Sequence, residues 1–131
     1  MEKIAFLGGT CNGSVWREEL ISKLDSDSKF FNPVVDDWNQ EAYELELKYR
    51  ETSSVLVYWI NSSMTGVYSI AEAVDDSHLN PDRVVFGFDE NGFDEDQIKS
   101  LKKTSDMISK NGGRVVSSLE ELSIIINGEC K

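Results

Sequence analysis

The chain has 131 residues, 40% of them hydrophobic, which is enough to bury the core of one domain over residues 1–131. Its formal net charge of -11 excludes the basic surface that binding a nucleic-acid polymer requires. No apolar run approaches the length of a membrane span, and we expect no secretory leader and no membrane contact. Cys11 and Cys130 lack metal-ligand spacing, so we expect no metal, no cofactor and a reducing, cytoplasmic location with free thiols.

The first part of the chain predicts a strand, a helix and a second strand. Lys3–Leu7 is a short apolar run that stops at two glycines, as buried strands often do. Ser14 can cap the helix that follows. The apolar side of that helix would comprise Val15, Leu20, Ile21 and Leu24. Phe30–Val35 predicts a second strand, which Pro33 makes short or places at an edge, because proline lacks a ladder donor.

The middle of the chain contains the clearest strand. Asn39 can cap a helix rich in glutamate, lysine and arginine. Ser54–Ile60 follows that helix and is apolar, β-branched and aromatic, as expected for a central parallel strand covered on both faces. A loop of small polar residues, Asn61–Gly66, leads to a short helix at Val67–Val74.

The last part of the chain repeats the alternation. Arg83–Phe88 predicts a fourth strand, and Asp94 can cap a long helix over Glu95–Lys110. Arg114–Val116 predicts a fifth, short strand. A final helix follows, which either Ser117 or Ser118 can cap.

This order of elements predicts the α/β class. We expect a doubly wound, mainly parallel five-stranded sheet with helices on both faces, the three-layer arrangement of flavodoxin-like and Rossmann-like domains. In such sheets, ligands bind beyond the carboxyl ends of the strands, where the strand order switches direction. The rule selects three loops as candidate binding segments: Gly8–Ser14, Asp36–Asn39 and Asn61–Gly66.

Two of these loops carry candidate binding residues. Gly8, Gly9 and Thr10 would let a ligand approach the backbone and reach the N–H groups of the next helix; the alternative is a tight turn with no ligand. Two carboxylates and an indole follow the second strand and could contact sugar hydroxyls and a base; the alternative is a solvated turn that caps the helix. These residues are Asp36, Asp37 and Trp38.

Two glutamates are candidates for the chemistry. Glu72 lies in the short apolar helix after the central strand, where the fold would orient and partly desolvate its carboxylate. The alternative is an exposed helix glutamate. Glu46 precedes Arg50 by four residues, which predicts either a weak ion pair on one helix face or a second carboxylate directed toward Glu72.

Taken in order, these positions resemble the nucleoside 2-deoxyribosyltransferase-like family, which includes deoxynucleotide N-glycosidases. The resemblance runs from about Lys3 to Phe88. It depends on the segments Phe6-Leu7-Gly8-Gly9-Thr10, Trp16-Arg17, Phe31-Asn32-Pro33, Trp38, Glu46, Val55–Trp59 and Ser69–Glu72.

The resemblance implies an enzyme that cleaves or transfers the bond between a base and its sugar. Glu72 matches the family's nucleophile, which attacks the anomeric carbon, and Glu46 falls near an acidic residue of the preceding helix. The implied partners are a small nucleoside or nucleotide and a second copy of the chain, because relatives complete the site with a neighbouring subunit. The implied substrate-binding residues are Gly8, Gly9, Thr10, Trp16, Asp36, Asp37, Trp38 and Asn61.

One segment departs from the family pattern. The loop Asn61–Gly66 usually carries an aspartate close to the nucleophile, and here it has no acid. A non-catalytic nucleotide-binding module on the same scaffold is therefore the main alternative. A flavodoxin-like FMN or redox domain is a third, although the sequence shows no loop suited to cradle its phosphate.

Overall fold

The computed structural model describes residues 1–11 and 13–131, so Asn12, in the predicted polar loop, lies outside the described residues. The described chain alternates strands and helices throughout, and no helix in it is long and apolar enough to cross a membrane. The elements are β1 (Glu2–Gly9), α1 (Trp16–Ile21), β2 (Phe30–Phe31), α2 (Gln40–Thr52), β3 (Ser53–Ile60), α3 (Tyr68–Leu79), a 3-10 turn (Pro81–Arg83), β4 (Val84–Phe88), α4 (Glu95–Lys110), β5 (Arg114–Val116) and α5 (Leu119–Glu129).

The five strands form one parallel sheet in the order β2-β1-β3-β4-β5. This arrangement confirms the predicted fold class, including the central position of β3. The chain leaves β1 for β2 on one side and returns to β3 on the other, so the switch in direction lies between β1 and β3. A ligand crevice is therefore expected beyond the ends of these two strands, near Gly9 and Ile60.

The central strand divides the core into two layers because successive side chains point to opposite faces of a sheet. Val55, Val57 and Trp59 pack with side chains of α1 and α5. Leu56, Tyr58 and Ile60 pack with side chains of α3 and α4 on the other face. All six are buried, so α3 packs against a buried strand beside the switch point.

Two helix starts agree with the sequence. The Asn39 side chain accepts a hydrogen bond from the Ala42 N–H at 2.8 Å, which confirms the predicted cap of α2. Asp94 accepts a bond from the Gln97 N–H at 2.8 Å, while the Gln97 side chain bonds back to the Asp94 N–H, a reciprocal capping box.

Other predicted details were wrong. The range Phe30–Val35 predicted for the second strand is too long, since the strand is only Phe30–Phe31, but the strand is short and lies at an edge of the sheet, as Pro33 predicted. Val15, rather than Ser14, occupies the cap position of α1, and the bond that the Ser14 hydroxyl accepts from the Trp16 N–H of this helix is 3.4 Å long. Val15 is 61% exposed, so it does not belong to the apolar side of α1.

Candidate active site

The end of β1 needs glycine for reasons internal to the sheet. Gly9 has a φ of +119°, and a Cβ there would overlap the backbone of Trp59 on the neighbouring strand. A Cβ on Gly8 would lie 2.9 Å from the carbonyl oxygen of Val57. The close approach of β1 to β3 thus accounts for both glycines, and their contact with a substrate stays a prediction.

Trp16 and Arg17, at the start of α1, donate hydrogen bonds to the backbone at this strand end. The Trp16 indole donates to the Thr10 carbonyl at 2.8 Å. Arg17 donates to the carbonyls of Leu7 at 2.9 Å, Thr10 at 2.7 Å and Gly9 at 3.4 Å. Both side chains are 3% exposed. Trp16 is therefore a core residue that holds the loop, and its predicted contact with substrate stays a prediction.

Arg17 was missed as a functional candidate. The only signal for it in the sequence is its place beside Trp16 at a helix start, and that pair carries no information on which carbonyls the guanidinium reaches.

Thr10 and Asn61 join the ends of β1 and β3. The Thr10 hydroxyl accepts a hydrogen bond from the Asn61 N–H at 3.1 Å. The Asn61 side chain donates to the Ser14 hydroxyl at 2.6 Å and accepts from the Ser63 N–H at 3.1 Å. These two predicted binding residues are thus brought together at the switch point, as parts of one hydrogen-bonded rim.

The start of α3 is attached to the same rim. The Ser69 hydroxyl donates to the Gly9 carbonyl at 3.1 Å. Glu72 follows three residues later on the same helix face, about 4.5 Å further along the axis. Its side chain is 13% exposed, so the fold orients and partly desolvates this carboxylate beside the switch point.

Glu72 belongs to a cluster of charged side chains between α2 and α3. Arg50 Nη1 lies 3.3 Å from Glu72 Oε2. The same guanidinium makes two 3.1 Å bonds to Asp76, through Nε and Nη2. Asp76 also accepts a 2.5 Å bond from the hydroxyl of Tyr58, which is fully buried. Arg50 therefore pairs with acids of α3, and not with Glu46 as one of the two interpretations of the sequence had it.

The electrostatics of the cluster favour protonated carboxyl groups. Burial raises the pKa of Glu72 to about 7; Arg50 opposes this effect, while Glu46 and Asp76 add to it. Burial also raises the pKa of Glu46, against the attraction of Arg50 and Arg17. Two half-buried carboxyl groups that sense each other can divide the acid and base roles of one reaction near neutral pH.

The predicted residues after β2 lie at the surface. Asp36, Asp37 and Trp38 are exposed, and the Trp38 ring packs against Tyr43, at 5.5 Å between centroids. Their contact with a ligand stays a prediction.

Two cavities open beyond the strand ends and divide the predicted residues. The smaller, about 130 Å³, is lined by Thr10, Met64 and Ser69, among others. The larger, about 960 Å³, is lined by Trp16 and Asn61 and extends to β5 and α5. Neither is lined by Glu72, Glu46 or the residues after β2, so the roles expected of these residues stay predictions.

Over residues 1–11 and 13–131, no three histidine, cysteine, aspartate or glutamate side chains are grouped so that they could hold a metal ion.

Comparison with known proteins adds one result. The sequence model of a family described as "nucleoside 2-deoxyribosyltransferase like" matches residues 2–80. The matched segment runs from β1 to the end of α3 and includes Glu46, Arg50 and Glu72. No curated protein matches the chain.

Proposed function

The chain belongs to the nucleoside 2-deoxyribosyltransferase-like family, and from that premise we propose that it cleaves or transfers the N-glycosidic bond of a nucleoside or nucleotide. The observation that carries the proposal is the place of Glu72. Its carboxylate is 13% exposed, lies one helical turn after the Ser69–Gly9 contact and has a second carboxyl group, Glu46, within electrostatic range. An isolated surface glutamate would have none of these properties.

In the proposed reaction, the ionised Glu72 carboxylate attacks the anomeric carbon while the carbon–nitrogen bond breaks. The electron pair of that bond goes to the base nitrogen, which takes a proton from the Glu46 carboxyl group. A water molecule or a second base then attacks the glycosyl ester and releases Glu72. Glu46 accepts the proton of the attacking group, so both carboxyl groups return to their starting states.

The raised pKa values bear on the two roles in opposite ways: the shift of Glu46 favours a proton donor, whereas a pKa of about 7 for Glu72 means that its ionised, nucleophilic form predominates only above that pH. A carboxyl group at its ordinary pKa would hold almost no proton at neutral pH, whereas burial raises the pKa of Glu46 and favours the form that can donate. Glu46, on α2, acts electrostatically on Glu72, and we assign to it the role of the acid missing from the loop Asn61–Gly66.

The sugar and base contacts belong to the proposal as well. We assign them to the strand-end rim and to the exposed loop after β2, which would fold over a bound ligand. The assigned residues are Gly8, Gly9, Thr10, Trp16, Asp36, Asp37, Trp38 and Asn61.

We also propose a homodimer in the cytoplasm. α2 buries none of its residues in the domain, and Tyr43, Leu45 and Leu47 on it are 40%, 44% and 43% exposed. Apolar surface of this kind next to a site is typical of a subunit contact. Light scattering at micromolar concentration should show twice the 14.8 kDa of the chain, and a species of 14.8 kDa alone would contradict the dimer.

The test of the chemistry is a panel of deoxynucleosides and their 5′-monophosphates, with free base followed by chromatography, with and without a second base as acceptor. Glu72→Gln should lower base release at least about 1,000-fold, because the amide cannot form the glycosyl ester. Glu46→Gln should lower it less, because water can still protonate a departing base.

Matched controls exist on the same two helices. Asp75→Asn removes an exposed carboxylate from α3, and Glu44→Gln removes one from α2; both should leave base release unchanged. Base release that persists in Glu72→Gln would contradict the nucleophile assignment. A wild-type protein that binds nucleotides, seen as a thermal shift, but releases no base from any substrate would instead support the binding module.

A further inference from the structure

The ion pair between Arg50 and Glu72 has no part in the reaction just proposed. Arg50 lies in the last turn of α2 and is 20% exposed at the side chain, against 13% for Glu72. A nucleophile that is paired with a buried cation differs from one that is free, because the cation both orients the carboxylate and favours its charge.

Both the side chain and the backbone of Arg50 are held by hydrogen bonds. Its guanidinium forms the bidentate pair with Asp76, whose side chain is 7% exposed. Its backbone is fixed by Arg83, which donates to the carbonyls of Arg50 at 2.7 Å and Glu51 at 2.9 Å. With Nε and Nη2 committed to Asp76, Nη1 is left to face Glu72.

We propose that Arg50 is a positioning residue for Glu72, to which it directs one N–H while Asp76 holds the rest of the guanidinium. The inference rests on the proposed function, because it concerns the nucleophile assigned there. Arg50 orients the carboxylate and favours its ionised form against the effect of burial, and it does not touch the substrate.

The charges around Glu72 predict that losing Arg50 and losing Asp76 would shift the pKa of Glu72 in opposite directions. Arg50 lowers the pKa of Glu72, whereas Asp76 raises it. The charged groups that act on Glu72 are Arg50 and Glu46 from α2 and Asp76 from α3, and the Tyr58 hydroxyl from β3 also interacts with it. Asp75 contacts Arg50 at the exposed edge of the cluster, and Arg17 from α1 acts on Glu46. Since Arg50 is the cation paired with Glu72, its loss should dominate over the loss of any one acid.

The direct test is an NMR titration of glutamate labelled with ¹³C at the side-chain carboxyl, with the Glu72 signal identified by its absence in Glu72→Gln. Arg50→Gln should raise the pKa of Glu72 by about one or more. Asp76→Asn should lower it, because one negative neighbour is removed and Arg50 can turn fully to Glu72. Asp75→Asn, at the exposed edge of the cluster, should change it little.

Arg50→Gln leaves Asp76 buried without a cation and could therefore prevent folding. A comparison of two further variants tests the proposal in that event. The double variant Arg50→Gln/Asp76→Asn keeps that pair neutral. The pKa of Glu72 in the double variant should lie above that in Asp76→Asn. Equal values in these two proteins, or shifts of the same sign for Arg50→Gln and Asp76→Asn, would overturn the proposal.

Kinetics give the second readout. The acid limb of the pH profile of kcat/KM should move up with Arg50→Gln and down with Asp76→Asn, whereas loss of a merely structural contact would lower rates at every pH alike. Arg50→Lys keeps the charge and should leave the acid limb near its wild-type position while kcat falls. If the wild type releases no base, the proposed function fails, and the NMR titration still decides on Arg50.

Discussion

Two buried arginines approach the candidate site from opposite faces of the sheet, and they have different partners. Arg17 donates chiefly to backbone carbonyls at the end of β1 and also contacts the thiol of Cys11. Arg50 donates to the carboxylates of Glu72 and Asp76. Burial is the largest single influence on each guanidinium and acts to lower its pKa. The pKa of Arg17 is lowered accordingly, whereas for Arg50 the carboxylates outweigh burial and the pKa is raised.

The two arginines therefore have different roles, although their side chains are chemically the same. Five donors in a fixed plane let Arg17 bind several carbonyls at the end of β1, beyond the point at which pairing with β2 stops at Phe6, so Arg17 contributes to the shape of this strand end. Arg50 faces groups that titrate, so its contribution includes the charge state of the site. Substitutions of Arg17 should therefore act on stability at every pH, and substitutions in the Arg50 cluster should act in a pH-dependent way.

The largest expected effect on stability is that of Arg17→Ala. Truncation leaves buried carbonyls without donors, and we expect a loss of about 3–5 kcal/mol in the free energy of unfolding. Urea denaturation should give the same loss at pH 5, 7 and 9. Lys23→Ala is the control, because it removes an exposed pair with Glu120 and should cost less than about 1 kcal/mol. A loss for Arg17→Ala no larger than the control's would contradict the shaping role.

The next effect in size concerns the stability of Glu72→Gln. Because burial raises the pKa of Glu72 from 4.5 to about 7, the folded wild type binds more protons than the unfolded chain between these values. Wild-type stability contributed by this group is full below pH 4.5 and is lost as the pH rises through 7. The amide avoids that loss, so Glu72→Gln should be more stable than wild type by about 2 kcal/mol at pH 8, with solvent screening allowed for.

Thermal unfolding at two pH values checks this prediction. The wild type and Glu72→Gln should unfold alike at pH 4.5 and separate at pH 8, with the variant the more stable. Asp75→Asn should follow the wild type at both, since its carboxylate is exposed. A Glu72→Gln protein that is less stable than wild type at pH 8 would show that the ionised carboxylate is well solvated or fully compensated by Arg50.

Much of the fold could be predicted because its signals are local. The caps at Asn39 and Asp94 and the run Ser54–Ile60 each act within a few residues, and all three are confirmed. The length of β2 was predicted less well, because the place at which Pro33 ends the strand depends on pairing with β1 and not on the strand itself.

The candidate site was harder to predict because its contacts are distant in sequence. Arg50 and Asp76 are 26 positions apart, and only the seating of α2 and α3 against one sheet face brings them together. Spacing along a helix suggested Glu46 as the partner of Arg50, since that spacing is visible in the sequence. No pattern in the sequence indicates that the guanidinium turns toward α3 instead.

The smallest expected effect tests how firmly α2 holds its two charged residues. The helix buries none of its side chains, so its ends matter: Asn39 caps the start, and Arg83 binds the last turn beside Arg50. Asn39→Ala should cost about 1 kcal/mol, and Asn39→Ser should recover most of it. Because the cap lies far from Arg83, the first turns should fray while Arg50 stays in place, so hydrogen exchange should rise near residues 40–44 with the pKa of Glu72 unchanged by NMR titration. A shift in that pKa would mean that the whole helix moves as one body, and the Arg50 contact would then depend on the cap.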